Sequence, residues 1–267
     1  MGRPIAKAHA YGNDFLYLPA ERWDGHDWEA EARTLCARHT GAGADGLILY
    51  WPTPDGARMR LFNADGSPAE VSGNGVRGLA ALLVWKAGPT RGPGPRVIQI
   101  ATDAGSKRLE LLDRDGPRST FRAAMGQPEH LHTRTLDVDG EAVEAVVVRV
   151  GNPQCVVLET ALSDERYRRL GPRLEHHAAF PDGTNVEFAV VEAPNRVRIL
   201  IWERGVGPTL SSGTGSCAAA VAARHSGGAS TVMDVIAPGG QQRVEWGSDG
   251  LFLTGWAEVL WEGEWTR

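Results

Sequence analysis

Apolar residues along this chain fall mostly in short runs that alternate with polar positions or are rich in β-branched side chains. Such runs occur at Phe15–Leu18, Gly46–Tyr50, Arg58–Phe62, Arg96–Ile100, Val143–Val150, Cys155–Leu158, Val186–Val191, Val197–Trp202, Thr231–Ile236 and Leu251–Leu253. Most are bounded by Gly, Pro, Asn or Asp, which is the signature of strands. Apolar positions at helical spacing are fewer, at about 27–39, 76–87, 164–171 and 215–226. The order within each half is strand, helix, strands, helix, strands. That order predicts an α+β fold rather than regular βαβ winding. Gly88–Gly94 reads as a loop by its glycines and prolines.

The pattern also repeats. Ser72-Gly73-Asn74-Gly75 recurs 140 residues later as Ser212-Gly213-Thr214-Gly215, and each is followed by a helix-forming run. Gly12-Asn13 matches Gly151-Asn152 at 139 residues, while Asp45 matches Asn185, and Asn63 matches Glu203, at 140. Matches in order at one offset argue for two similar halves. The expected division is 1–117 and 118–267, broken by Asp113–Ser119, with the last ~10 residues free to pack back on the first half. Duplicated halves commonly hold a ligand in the cleft between them. The Trp-rich end (Trp256, Trp261, Trp265) is expected to be packing rather than a binding site.

Composition narrows the class. The 267 residues are 42% hydrophobic and 23% charged, with a formal charge of −5. That balance gives no electrostatic reason to expect nucleic acid or an anionic membrane. Met1-Gly2-Arg3-Pro4 leads into no apolar signal segment, and no run approaches the ~20 residues of a membrane span. Cys36, Cys155 and Cys217 form no paired framework, so a reducing cytoplasm is expected. His176-His177 stands without a cysteine pair, which argues against zinc. Lys7, Lys86 and Lys107 are the lysines, each expected to be solvated. No metal, nicotinamide or pyridoxal site is visible, and no cofactor is expected.

Candidate chemistry lies at the two glycine turns. Glycine lets a ligand approach the backbone, and a helix N-terminus offers unpaired N–H donors with about half a positive charge. Together they suit a carboxylate or phosphate. The bland alternative makes Ser72 and Ser212 ordinary N-caps. Neither turn continues as a phosphate loop or a complete dinucleotide fingerprint. Glu203-Arg204 can recognise a zwitterion, the guanidinium taking a carboxylate and the carboxylate an ammonium. Asn13, Asn152 and Asn185 lie at strand ends, where side-chain amides can donate, accept or simply close Asx-turns.

Nearly the whole chain carries a family likeness. The segments are His9–Phe15, Gly43–Gly46, Asn63–Ser67, Ser72–Arg77, Gly151-Asn152-Pro153, Phe180–Val186, Glu203–Gly207 with Thr209, Ser212–Gly215 and Pro238-Gly239-Gly240. In this order they resemble the diaminopimelate epimerase family. The resemblance implies two pseudo-symmetric α+β halves, each a β-barrel-like sheet around a central helix. It implies a cofactor-independent epimerase converting LL- to meso-diaminopimelate in the lysine and cell-wall pathway, in which one thiolate removes the α-proton and another thiol returns one. The family's two cysteines begin the glycine turns, and here those positions are Ser72 and Ser212. The family histidine after Asn-Pro is Gln154, and the family glutamate between Gly-Val-Gly and Thr is Pro208.

The resemblance thus assigns proton transfer to Ser72 and Ser212. It assigns substrate binding to Asn13, Asn63, Gly73, Asn74, Asn152, Asn185, Glu203, Arg204, Gly213 and Thr214. The partner it implies is a small amino-acid substrate, and a homodimer stays open. A helix dipole supplies up to ~2 kcal/mol, about one or two pH units. That ionises a thiol of pKa ~8.5 near neutrality, whereas an alcohol needs an adjacent base. Two alternatives remain: a diverged isomerase or lyase using a carboxylate base (Asp65, Glu70 or Glu203), and a non-catalytic amino-acid binder.

Overall fold

The computed structural model describes residues 2–23, 27–88 and 96–266, and they pack as two units. The first holds Met1–Ala123 and Gly255–Arg267, the second Ala124–Thr254. The first contains β1 (Arg3–Ala10), β2 (Asn13–Pro19), α1 (Trp28–Cys36), β3 (Gly46–Thr53), β4 (Gly56–Asn63), β5 (Pro68–Ala69), α2 (Gly73–Lys86), β6 (Arg96–Thr102) and β7 (Gly105–Asp115). The strand β8 (Arg118–Gly126) runs out of it. The second contains β9 (Glu129–Val138), β10 (Glu141–Val150), β11 (Asn152–Leu158), α3 (Asp164–Glu175), β12 (Asn185–Ala193), β13 (Arg196–Glu203), β14 (Gly207–Thr209), α4 (Gly213–His225), β15 (Val232–Ala237) and β16 (Gly240–Gly247). The long β17 (Gly250–Trp265) begins in the second unit and ends in the first.

The sheet of the first unit closes on itself. β1 pairs with β2, β2 with β3, β3 with β4, β4 with β6, β6 with β7, β7 with β8, β8 with β17, and β17 with β1. Closure leaves no exposed edge along that ring. The second unit repeats the row as β9, β10, β11, β12, β13, β15, β16, β17. The parallel joints recur at matching places: β2–β3 and β4–β6 in the first unit, β11–β12 and β13–β15 in the second. The fold is therefore α+β, two barrel-like halves of one topology.

Each barrel encloses one helix, and its composition shows why. α2 is buried from Asn74 through Leu82, and α4 from Gly215 through Ala223. A helix covered all round must be apolar all round, and one wrapped by a sheet must also be thin. Accordingly α4 reads Cys217-Ala218-Ala219-Ala220-Val221-Ala222-Ala223. In α2, Gly78 lets Tyr17 reach the helix: an added Cβ would lie 2.0 Å from the phenol oxygen. That hydroxyl donates to Gly75 O at 3.0 Å. α1 and α3 instead cover the outside of their sheets. Ala32, Leu35 and Cys36 pack on Leu16, Leu18, Leu47 and Leu49, while Tyr167, Leu170 and Leu174 pack on Val157, Val186 and Phe188.

Several expectations shift. α2 and α4 begin at Gly73 and Gly213, so the glycine turns are the first turns of the helices themselves. α3 continues past Pro172 to Glu175, because Leu174 completes the apolar stripe of Tyr167 and Leu170. Asp113–Ser119 is the tip of the β7–β8 hairpin, where Asp115 pairs with Arg118. Of the Gly88–Gly94 loop, all but Gly88 lies outside the described residues. Lys7 is not solvated: it pairs with Asp14 at 2.8 Å and is 14% exposed. No helix among the described residues is long and apolar enough to cross a membrane.

Candidate active site

Both serines cap their helices in closely matched geometry. Ser72 has φ −127° and ψ 124°, and its Oγ accepts from Gly75 N at 3.1 Å. Ser212 has φ −136° and ψ 128°, and its Oγ accepts from Gly215 N at 3.1 Å. An extended cap residue with an accepting hydroxyl is what a helix start requires. Both side chains are half-buried. What surrounds the two turns differs.

In the first half a charged network holds the turn. Buried Asp14 takes Lys7 at 2.8 Å and Arg38 at 2.9 Å, and Arg38 also reaches Asp45 at 2.6 Å. Burial alone would raise the Asp14 carboxyl, but Arg38 and Lys7 outweigh it and hold the group below its ordinary range. Asp45 accepts from Asn13 Nδ2 at 2.8 Å, Asn13 Oδ1 accepts from Asn74 Nδ2 at 3.3 Å, and Asn74 Oδ1 accepts from buried Arg77 at 3.3 Å. Thus Asn13 and Asn74 meet at the helix start. Asn63 goes elsewhere: its amide donates to Ser67 Oγ at 3.0 Å, in a loop where Asp65 accepts from Ser67 N and Oγ. Asp65 is thereby a turn residue, its carboxyl held low by the Ser67 hydroxyl, and Glu70 is exposed.

In the second half the turn rests on a neutral amide and a carboxyl. Gln154, fully buried, has Asn152 Oδ1 at 2.5 Å, Thr214 Oγ1 at 3.1 Å and Asn185 Nδ2 at 3.3 Å on one side of its amide. On the other side are both oxygens of Glu187, at 2.9 and 3.2 Å. Thr214 Oγ1 is 3.3 Å from Ser212 Oγ. Burial pushes Glu187 well above the ordinary carboxylate range, and Glu203 adds to the rise. Burial raises Glu203 too, against the pull of the Thr209 hydroxyl. Asn185 donates to Pro153 O at 3.1 Å and accepts from Arg204 N at 3.0 Å, while the Arg204 guanidinium donates to Asp182 O at 2.8 Å. Glu175, also buried, fixes the turn after Glu203 by accepting from Trp202 Nε1 and Gly205 N, each at 2.7 Å.

The thiols offer no substitute at the turns. Burial pushes Cys36 up to about 12 and raises Cys155 further, and Cys217 is fully buried in the core around α4. Among the described residues, no cluster of His, Cys, Asp or Glu is arranged to hold a metal ion.

The profile of the family described as diaminopimelate epimerase matches residues 5–131 and 146–260. The chain belongs to the diaminopimelate epimerase family. The diaminopimelate epimerase of Desulforudis audaxviator is 39% identical over 98% of this chain and 99% of its own. That of Desulfitobacterium hafniense is 37% identical over 97% and 96%. Among solved structures, a Pseudomonas aeruginosa protein described as a predicted epimerase shares the fold with a TM-score of 0.72. It is 18% identical and covers 99% of both chains. Family membership places the chain among the isomerases, in the racemase and epimerase class.

Within this diaminopimelate epimerase family member, sequence reasoning missed Glu187, Glu175, Asp14 and Arg38. Glu187 left a readable signal. In Asn185-Val186-Glu187-Phe188-Ala189 it shares the parity of Ala189, which faces the core around α4. A carboxyl at a core-facing position is rare unless something partners it. Glu175 left none, because its role appears only once α3 is docked beneath the Trp202–Gly205 turn.

Proposed function

We propose that this protein is a cofactor-independent amino-acid epimerase, acting on diaminopimelate or a close relative and handling the α-proton at Ser72 and Ser212. The observation that carries the reading is the matched pair of serine-capped helix starts, 140 residues apart in a member of this family. Diaminopimelate presents ammonium and carboxylate groups. Helix N-termini and side-chain amides such as Asn13, Asn74, Asn152 and Asn185 are suited to the carboxylates, and Glu203 to an ammonium. Gly73 fits a ligand role: an added Cβ would meet nothing within 4 Å, so packing does not demand glycine there. LL- to meso- conversion, and with it a place in lysine and cell-wall synthesis, belongs to the same proposal.

One observation favours a second reading, a diverged isomerase with a carboxylate base. Glu203 is half-buried, and burial raises its carboxyl above the ordinary range, which strengthens it as a general base.

The test is NMR of LL- and meso-diaminopimelate in D₂O with the unmodified protein and with the Ser72→Cys/Ser212→Cys double variant. Cα deuteration by the unmodified protein is the expected result. If Glu203→Gln abolishes that exchange while Ser72→Ala and Ser212→Ala do not, the second reading takes over. Silence from the unmodified protein with exchange by the double variant would show a competent site that lacks its thiols. Silence from both would end the diaminopimelate assignment.

A further inference from the structure

The barrel interior next to α2 and the one next to α4 diverge at one spot. A Cβ added at Gly75 would lie 2.8 Å from the Ile48 methyl, whereas one added at Gly215 would lie 2.5 Å from Glu187 Oε1. A carboxyl therefore occupies the place of an isoleucine beneath the second helix start. It is fully buried, and its contact is an equally buried amide, Gln154.

That amide has two orientations with different consequences. With its nitrogen toward an ionised Glu187, it donates to both carboxyl oxygens, and its oxygen accepts from Thr214. Thr214 has then spent its proton, so the Ser212 hydroxyl must donate to Thr214 across their 3.3 Å. With Glu187 protonated, the acid O–H donates to the amide oxygen, and the amide nitrogen turns to Asn152 Oδ1 and Thr214 Oγ1. Thr214 is then free to donate to Ser212 Oγ, which already accepts from Gly215 N. The Ser212 proton points away from both donors. Each orientation leaves one neighbour mismatched, Asn152 Oδ1 in the first and Asn185 Nδ2 in the second. The amide is thus balanced, and the carboxyl decides.

We propose that Glu187 is a positioning residue for Ser212, acting through Gln154 and Thr214: the proton on its carboxyl sets whether the Ser212 hydroxyl donates to Thr214 or accepts from it. The neutral carboxyl leaves the Ser212 proton available to a carbanion, while the ionised one ties it up. The only covalent change is one O–H bond on Glu187, with the proton exchanged with solvent. The role in turnover rests on the epimerase reading above, but the hydrogen-bond switch does not. Titratable groups facing Glu187 are Glu203 on β13 and Cys155 on β11, and the first turn of α4 carries no acidic side chain. Burial together with the Glu203 charge favours the neutral form.

The test is a pH titration of the full chain by NMR, following the Glu187 carboxyl carbon, the Gln154 side-chain amide and the Ser212 β-carbon. The expected result is one shared inflection above the ordinary carboxylate range. Glu187→Gln, which keeps a donor toward Gln154, should abolish it at both other sites. Thr214→Val should silence Ser212 while Gln154 still titrates. Gln154 or Ser212 signals that ignore the Glu187 inflection, or a Ser212 inflection that survives either variant, would overturn the proposal. In the exchange assay, kcat should fall about tenfold per pH unit above the inflection with KM unchanged, and Glu187→Gln should flatten the profile. A flat profile in the unmodified protein would also overturn it. No exchange in any sample would count against the epimerase reading alone, because the titration needs no turnover.

Discussion

The two halves share a topology, a helix cap and a glycine turn, yet they stabilise the region around that turn by opposite electrostatic means. The first uses full charges in balance: Asp14 and Asp45 against Lys7 and Arg38, passed on through Asn13 and Asn74. The second uses a carboxyl driven toward neutrality, with amides around it. The first arrangement is a clamp in which every charged group has an oppositely charged partner. The second can change state with a single proton. A duplicated scaffold has thus kept its backbone and split its polar interior into a fixed side and a titrating side.

The largest expected effect comes from breaking the clamp. Asp14→Ala leaves Lys7, which is 14% exposed, without its carboxylate. Removing one partner of a buried pair costs about 3–5 kcal/mol. Urea unfolding should show that loss, and hydrogen exchange should place it in β1–β4, with protection in β10–β13 unchanged. An equal loss of protection in both halves would break the comparison, since it would show that the clamp stabilises more than its own barrel.

Next comes the opposite pH dependence. Asp14 is held below its unfolded value, so its contribution is present above that value and lost as pH falls through the folded one. Glu187 is raised, so its contribution is fully present below the unfolded value, near 4.5, and is lost as pH rises through the folded one. The first half should therefore loosen as pH falls, and the second as pH rises above the unfolded carboxylate value. Glu187→Gln should become more stable relative to the unmodified protein by about 1.4 kcal/mol per pH unit across that window. Equilibrium unfolding at a series of pH values measures the slope, and a difference independent of pH would sink the assignment of Glu187 as the titrating group.

How much of this was legible in the sequence follows the same division. The strand runs, the four helical stretches and the repeat of Ser-Gly-x-Gly were readable, because period and punctuation are local. β1, β7, β8, β9 and β16 were not among those runs, and β7 and β9 run through largely exposed positions that carry little apolar signal. Of the assigned site residues, Asn13 and Asn74 proved to bond directly to each other, but Asn63 bonds to Ser67. Pairings such as Lys7 with Asp14, or Glu187 with Gln154, join different strands. Nothing short of the fold brings them together.

The smallest expected effect is the most sensitive comparison, because the two caps are the feature the halves share most closely. Losing a capping hydroxyl costs about 1 kcal/mol. Ser72→Ala and Ser212→Ala remove the same 3.1 Å bond from Gly75 N and Gly215 N. If capping were all these serines did, the two costs should agree and neither should vary with pH. The helix start that Ser72 caps has Ile48 beneath it in place of a carboxyl, so Ser72 should behave that way. Ser212 also bonds to Thr214 in either state of Glu187, so its loss removes a second hydrogen bond and should cost more than the loss of Ser72. The difference is on the order of the 0.5–1.5 kcal/mol of one hydrogen bond. Paired unfolding curves of the two variants resolve it, and equal costs would reduce Ser212 to a cap like its counterpart.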